Sequence, residues 1–176
     1  MQLCDRDKVP LLFLQNITGF MIGREYEARG ITKDGAKMIT AQASVRVPKF
    51  TVMVGSSFGA GNYGMCGRAF DPRFLFSWPN SQIGVMGGDQ AANTLTDIKR
   101  GQLARNGGIA DEDEIASMRN AILEDYERHS DAYWSTSELW DDGLIDPADT
   151  RNALAVAIAA SLHRPLDPLG SGILRL

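Results

Sequence analysis

Cysteine and histidine are scarce in this chain, with two of each among 176 residues. Two cysteines cannot form a disulfide framework or a four-cysteine zinc site, and Cys4, Cys66, His129 and His163 show none of the short spacings typical of metal ligands. The sequence therefore predicts no bound metal. The histidines fall on a charged helix and near a helix end, which disfavours a Ser-His-Asp hydrolase.

Long apolar runs and an excess of positive charge are also missing. No segment approaches the roughly 18 apolar residues of a membrane helix, and the start, MQLCDRDKVP, lacks the apolar core of a signal peptide. The net charge is −4 at pH 7 and the basic residues are scattered, so no nucleic-acid surface is predicted. With 44% hydrophobic and 23% charged residues, the composition indicates one soluble, intracellular domain.

The order of apolar runs and turn residues predicts a layered α/β domain with crossover helices. The predicted elements are strand 10–15, a loop over 16–30, helix 31–46, strand 50–54, a short helix over 62–69, strands 74–78 and 83–86, and helices 87–105, 111–129 and 147–163. Segment 153–160 of the last helix is apolar nearly all round. We therefore expect it to be buried, either in this domain's core or against a partner.

The strongest candidate for chemistry is the run Gly59-Ala60-Gly61, which follows a buried strand and precedes a helix. Glycine lets a ligand approach the backbone, and the first amides of a helix lack internal partners, so the run predicts a site for a negative oxygen. Gly87-Gly88 and the segment around Gly19 are two further clusters of the same kind. The alternative is that all three serve turns and close packing of strands on helices.

Known nucleotide-binding motifs do not explain the run. A P-loop needs a Lys-Ser/Thr pair after its last glycine, and none follows here. The string from Gly59 to Gly64 matches G-x-G-x-x-G literally. However, the dinucleotide motif also needs an acid about 20 residues further on, where this chain reads Asn80-Ser81-Gln82. We interpret the match as accidental.

Several longer strings resemble one enzyme family. Residues 13–23 read FLQNITGFMIG and residues 58–68 read FGAGNYGMCGR; the others are WPN at 78–80, VMGG at 85–88, LWDDG at 139–143 and IDPADTR at 145–151. They resemble the carboxyltransferase (β) subunit of biotin-dependent acyl-CoA carboxylases, of the methylcrotonoyl-CoA carboxylase type, with geranyl-CoA carboxylase as a near relative. The resemblance covers nearly the whole chain.

The resemblance implies an α/β, crotonase-like (ClpP/crotonase) fold of ββα units. It identifies residues 1–176 with the C-terminal, biotin-side carboxyltransferase domain, without the start of that domain and without the N-terminal domain that holds the acyl-CoA. It further implies a homo-oligomer in which the halves of two subunits meet, and a biotin carboxylase/carrier subunit as partner. The implied location is a bacterial cytoplasm or a mitochondrial matrix.

The resemblance also assigns roles to the glycine clusters. It implies that the backbone amides of Ala60 and Gly61 form an oxyanion hole for the ureido oxygen of biotin, which a partner carries. The residues expected to bind substrate are Phe58, Gly59, Tyr63, Gly19, Phe20, Gly87 and Gly88. The implied reaction is carboxyl transfer from carboxybiotin to an enoyl-CoA such as 3-methylcrotonyl-CoA, and the bulk of Tyr63 is consistent with a branched enoyl chain.

Two other functions stay open. One is an incomplete, non-catalytic part of an assembly, because the acyl-CoA half is expected to be missing. The other is a crotonase-type enoyl-CoA hydratase or isomerase, which would also use backbone amides but with a positioned carboxylate as base. In the sequence, the carboxylate nearest to 59–61 is Asp71, beyond the short helix.

Overall fold

A computed structural model describes residues 1–166 of the chain. The helices and strands in chain order are α1 (Gln2–Asp7), β1 (Leu11–Ile17), α2 (Arg24–Ala28), α3 (Ile31–Ser44), β2 (Lys49–Phe58), α4 (Gly59–Gly64), β3 (Phe74–Ser77), β4 (Gln82–Gly84), α5 (Gly88–Arg105), α6 (Glu112–Ser130), α7 (Ala132–Ser137) and α8 (Thr150–Leu162). Short 3-10 turns at Arg68–Phe70 and Pro147–Asp149 precede β3 and α8.

Four parallel strands form one sheet around β2. Strand β1 runs beside β2 from the pair Leu11–Lys49 to the pair Ile17–Ser57. Strand β3 pairs with the first part of β2, and β4 pairs with its last three residues, Ser56 to Phe58. Parallel neighbours need crossover connections, and α3 lies in the crossover between β1 and β2. The predicted α/β class is confirmed.

The two faces of the sheet carry different layers, because successive side chains of a strand point to opposite faces. On one face, Phe50 and Val52 form the buried core with Leu154 and Ala157 of α8. On the other face, the Thr51 hydroxyl donates to the Cys66 carbonyl oxygen, just beyond α4, at 2.6 Å. Helix α4 and the candidate glycine run therefore lie on the face opposite α8.

Helices α5 and α6 lie antiparallel beside β4. Arg119 of α6 pairs with Asp89 at the start of α5, at 2.7 Å, and Arg100 late in α5 pairs with Glu112 at the start of α6, at 2.6 Å. Exposed ion pairs of this kind contribute little to stability, because water and salt screen them. In the described part of the chain, no helix combines the length and the apolar character that crossing a membrane needs.

Several predicted boundaries are wrong. The short helix predicted over 62–69 starts earlier, at Gly59, and stops at Gly64, since Cys66 takes a left-handed φ of 60° that ends the helix. Strand β2 continues past 54, because its last residues gain a partner in β4. Helix α2 lies within the segment predicted as a loop, and α7 was not predicted at all. The predicted helix 147–163 is a 3-10 turn followed by α8.

The segment 153–160, which is predicted to be buried, is buried on one face of α8 only. Leu154 and Ala157 face the core and are 8% and 3% exposed, whereas Val156 on the outer face is 71% exposed. A single sheet packed against a helix covers one side of it. Within the described chain, the outer side of α8 is open to solvent.

Candidate functional site

The Gly-Ala-Gly run forms the junction between β2 and α4. Gly59 has a φ of 58°, and a Cβ built on it would lie 2.9 Å from the Val85 carbonyl oxygen. A larger residue would therefore meet both backbone strain and a close contact. This sharp turn lets the strand end and the helix begin without an intervening loop. Ala60 is exposed at the turn, and Gly61 is buried behind it.

Two backbone donors at this junction lie in the first turn of a helix. The amides of Ala60 and Gly61 belong to the first turn of α4, where N–H groups have no partner within the helix. Neither amide donates to a loop or turn carbonyl or to a side chain of the described residues 1–166. First-turn amides point outward past the start of a helix, an arrangement that favours binding of an anion. A developing negative oxygen is the acceptor that such a pair stabilises most.

The structure brings residues of three predicted glycine clusters to this junction. A Cβ built on Gly61 would lie 3.2 Å from the Gly19 Cα. A Cβ on Gly19 would lie 3.8 Å from the Phe58 carbonyl oxygen, and one on Gly87 would lie 3.7 Å from the Phe58 ring. The turn after β1, the end of β2 and the turn after β4 thus converge on the start of α4.

Other predicted substrate residues lie around this centre rather than in it. The Phe20 ring packs between α3 and α4, with its tip 3.3 Å from a Cβ built on Gly64. Tyr63 is 48% exposed and makes an edge-to-face contact with Phe70, with ring centroids 6.1 Å apart. Gly88 packs against α6 instead, where a Cβ built on it would lie 3.2 Å from the Tyr126 Cβ.

An apolar cavity of about 340 Å³ opens beside Ala60. It lies between the 20–22 segment, α2 and α3, and the small residues Gly35 and Ala36 of α3 leave room for it. The carboxylate in its lining belongs to Glu27 of α2. The sequence does not identify Glu27, because segment 16–30 is predicted as a loop and the acid is far from the glycine run in the chain. The one sequence signal is the pair of acids Glu25 and Glu27 between Gly23 and Gly30.

The titratable groups near the junction do not indicate a nucleophile or a metal. Cys66 is completely buried just after α4, and burial raises the pKa of its thiol, although Lys49 and polar neighbours partly oppose this shift. The thiol is therefore neutral and unreactive near pH 7. Among residues 1–166, no three His, Cys, Asp or Glu side chains are grouped so as to hold a metal ion.

Comparison with protein families and curated proteins gives a consistent result. The carboxyl transferase domain model matches residues 1–169. The chain is 54% identical to the biotin-dependent 3-methylcrotonyl-coenzyme A carboxylase beta1 subunit of Mycobacterium tuberculosis, over 99% of this chain and 33% of that protein. It is 51% identical to the mitochondrial methylcrotonoyl-CoA carboxylase beta chain of Arabidopsis thaliana, over 99% of this chain and 30% of that protein.

Solved structures of similar proteins share the fold. The β subunit of geranyl-CoA carboxylase from P. aeruginosa matches with a TM-score of 0.83 and 44% identity, over 99% of this chain and 33% of that one. Transcarboxylase 12S, described as a hexamer, matches with a TM-score of 0.79 and 32% identity, over 96% of this chain and 31% of that one. The chain spans about a third of the length of the relatives it matches.

Proposed function

This chain belongs to the carboxyl transferase domain family, and we propose that it supplies the biotin-side half of a site that transfers a carboxyl group from carboxybiotin to an enoyl-CoA such as 3-methylcrotonyl-CoA. Its crotonase-like fold is shared with the carboxyltransferase β subunits. The proposal identifies the chain with the C-terminal, biotin-side domain of those subunits. The acyl-CoA would be held by an N-terminal carboxyltransferase half.

The observation that carries the proposal is the pair of first-turn amides at Ala60 and Gly61, at the junction of β2 and α4. Biotin, carried by a partner, supplies the carboxyl group and a ureido oxygen on which negative charge develops. Two fixed N–H donors directed at that oxygen stabilise the charge, and one such donor is worth about 2.7–4 kcal/mol in oxyanion holes. The apolar cavity of about 340 Å³ beside Ala60 would offer an apolar surface to the tetrahydrothiophene ring that is fused to the ureido ring of biotin.

In this reaction the chain itself would hold the two amides in a fixed orientation, and the amides would stabilise the negative charge on the ureido oxygen. The left-handed turn at Gly59 aims the two amides, and the contact of Gly61 with the backbone after β1 keeps them in place. Because the donors belong to the main chain, they need no reorganisation when the charge appears. No side-chain acid, base or metal of this chain is assigned a role.

The proposal includes partners and a location. We expect the acyl-CoA substrate, an N-terminal carboxyltransferase half, a biotin carboxylase/carrier subunit and further copies of this chain to complete the enzyme. The relatives include a bacterial and a mitochondrial protein, and a bacterial cytoplasm or a mitochondrial matrix is the proposed site of action. Neither nucleic acid nor a membrane surface is proposed as a partner.

The test is to remove one amide donor with the smallest change elsewhere. Ala60 is exposed and lies in the first helical turn, where proline is tolerated. In the assembled carboxylase, Ala60→Pro is expected to lower kcat for carboxyl transfer about 100-fold. Ala60→Ser keeps the amide and is expected to stay within about twofold of the parent. Near-normal turnover of Ala60→Pro would contradict the proposal.

One observation favours a second candidate function. Glu27 and Ala60 line the same cavity, which brings an acidic residue close to the glycine run, and an enoyl-CoA hydratase or isomerase requires a carboxylate beside its backbone amides. Such an enzyme would convert an enoyl-CoA without any biotin. Hydration of crotonyl-CoA by the purified chain, abolished in Glu27→Gln, would establish this function in place of carboxyl transfer.

A further inference from the structure

A buried polar cluster joins β1, β2 and α4 directly beneath the two amides. Its members are Gln15, Ser57 and Asn62, and the first two are completely buried. The Ser57 hydroxyl donates to Gln15 Oε1 at 2.5 Å and accepts from Asn62 Nδ2 at 2.8 Å. Gln15 Nε2 donates to the Met65 carbonyl oxygen at 2.8 Å. Gln15 is thereby linked to Asn62 within α4 and to Met65 just after it.

The direction of every hydrogen bond in the cluster is fixed by chemistry. A carbonyl oxygen only accepts, so the atom of Gln15 that faces Met65 must be the amide nitrogen, and Oε1 must face Ser57. The Ser57 hydroxyl then donates to Gln15 and accepts from Asn62. None of these atoms is among the unpartnered buried polar atoms of the described chain. Loss of one member would leave another unsatisfied in the interior.

Asn62 connects the cluster to the two amides, because it directly follows Gly61 in the chain. Its side chain points into the protein and fills the space where a Cβ on Gly67 would be. Its carbonyl oxygen accepts from the Gly67 amide at 2.8 Å. The rotation of the first turn of α4 is therefore set from inside the protein, while Ala60 and Tyr63 remain on the outer side.

We propose that Gln15, Ser57 and Asn62 are positioning residues, which hold the Ala60 and Gly61 amides in the orientation that carboxyl transfer requires. This inference rests on the function proposed above. Apolar side chains could fill the same volume, but they would fix no direction, whereas a fully connected polar network specifies both distance and angle. A displacement of about 1 Å in a catalytic group can cost about 100-fold in rate.

The first test compares buried hydroxyl and amide changes in the assembled carboxylase. Ser57→Ala removes the centre of the cluster, and Asn62→Asp removes one donor at constant size. Ser135→Ala is the matched control, since Ser135 is also completely buried and donates one hydrogen bond, to the Ala132 carbonyl oxygen at 3.0 Å, in α7.

We expect both cluster variants to lower kcat at least tenfold, with KM for the acyl-CoA within about twofold. Ser135→Ala is expected to lose thermal stability to a similar degree and to keep its kcat. A cluster variant with normal kcat, or a kcat loss in Ser135→Ala equal to that in Ser57→Ala, would overturn the positioning role.

A second measurement separates this inference from the function on which it rests. Hydrogen exchange over residues 59–67, in the same assembly, reports on α4 without any chemistry. Exchange at Met65 and Gly67, whose amides donate to Gly61 and Asn62, should be faster in Ser57→Ala and unchanged in Ser135→Ala. Unchanged exchange in Ser57→Ala overturns the inference. Faster exchange supports it even if the unmodified assembly transfers no carboxyl group, a result that would contradict the proposed function alone.

Discussion

Gly61 packs with its backbone against the backbone of Gly19. A Cβ built on Gly61 would lie 3.2 Å from the Gly19 Cα and 3.2 Å from Ile17 Cδ1. These distances are shorter than an ordinary contact between carbon atoms, about 3.5–4.0 Å. The end of β1 therefore sets the position of the first turn of α4, and the donor at residue 61 depends on a segment far away in the sequence.

Gly61→Ala should lower carboxyl transfer while leaving the amide chemically intact. The added methyl group would press on the Gly19 backbone, so the first turn of α4 must move and its donors lose their alignment. We expect kcat in the assembled enzyme to fall at least tenfold. Steady-state kinetics at varied acyl-CoA concentration will measure this fall in kcat.

The control for this change is Gly101→Ala in α5. A Cβ at Gly101 meets nothing within 4 Å, and alanine replaces glycine in a helix with a gain of about 0.5–1 kcal/mol. Gly101→Ala should therefore raise the melting temperature and leave kcat unchanged. Equal activity of the two variants would show that the contact between Gly61 and Gly19 does not matter for transfer.

The order of elements was predictable because local patterns determine it. The apolar run before Gln15 and the apolar spacing over 31–46 gave β1 and α3 nearly at their observed bounds. The glycine run was also visible as a strand-to-helix junction. Its helix was placed too late, because the end of α4 depends on the left-handed backbone at Cys66, and cysteine carries no signal for that conformation.

The surroundings of the site were not predictable, since they come from distant segments. Gln15 meets Asn62 across 47 positions, and nothing in the sequence distinguishes Ser57, which provides the buried hydroxyl between them, from its neighbour Ser56. Glu27 reaches the cavity through α2, a five-residue helix without an apolar period to reveal it. Periodicity identifies which face of an element is buried, but it does not identify the neighbour on that face.

Glu27→Gln separates the two candidate functions. The carboxyl-transfer mechanism assigns no role to a side-chain acid, so this substitution should leave kcat for transfer within about twofold. The size and hydrogen-bonding shape of the side chain are kept, and only its charge and basicity are lost. A loss of 100-fold or more in the rate of crotonyl-CoA hydration, typical of a missing general base, would favour the hydratase or isomerase. Both reactions should be assayed on the same preparation.

Helix α8 offers a pair of substitutions that tests its one-sided burial. Leu154 is 8% exposed and Val156 is 71% exposed. Leu154→Ala should reduce the free energy of unfolding by about 2–4 kcal/mol, because it leaves a cavity against Phe50 and Val52. Val156→Ala should change it by at most about 0.5 kcal/mol. A comparable loss in both variants would show that another chain covers the outer side of α8.

A partly buried ion pair attaches α1 to the chain entering β2. The Asp5 carboxylate accepts from the backbone amides of Arg46 and Val47, at 2.7 and 3.2 Å, and pairs with the Arg46 guanidinium at 3.0 Å. Burial by itself raises the pKa of Asp5, but the hydrogen bonds and the charge of Arg46 outweigh it and hold the pKa below its ordinary value of 3.8.

Asp5→Asn should therefore destabilise the protein in a pH-dependent way. A carboxyl group whose pKa is lower in the folded state stabilises that state above its unfolded pKa, and the contribution disappears as the pH falls through the folded value. At pH 7 we expect the variant to be about 2 kcal/mol less stable, with the difference shrinking below pH 3.8. Denaturant unfolding at a series of pH values measures this. Asp7→Asn is the control, since Asp7 pairs with its exposed neighbour Arg6 and with no other cation among residues 1–166, and it should shift stability by no more than about 0.5 kcal/mol. A pH-independent loss in Asp5→Asn would mean that packing, rather than charge, holds α1 in place.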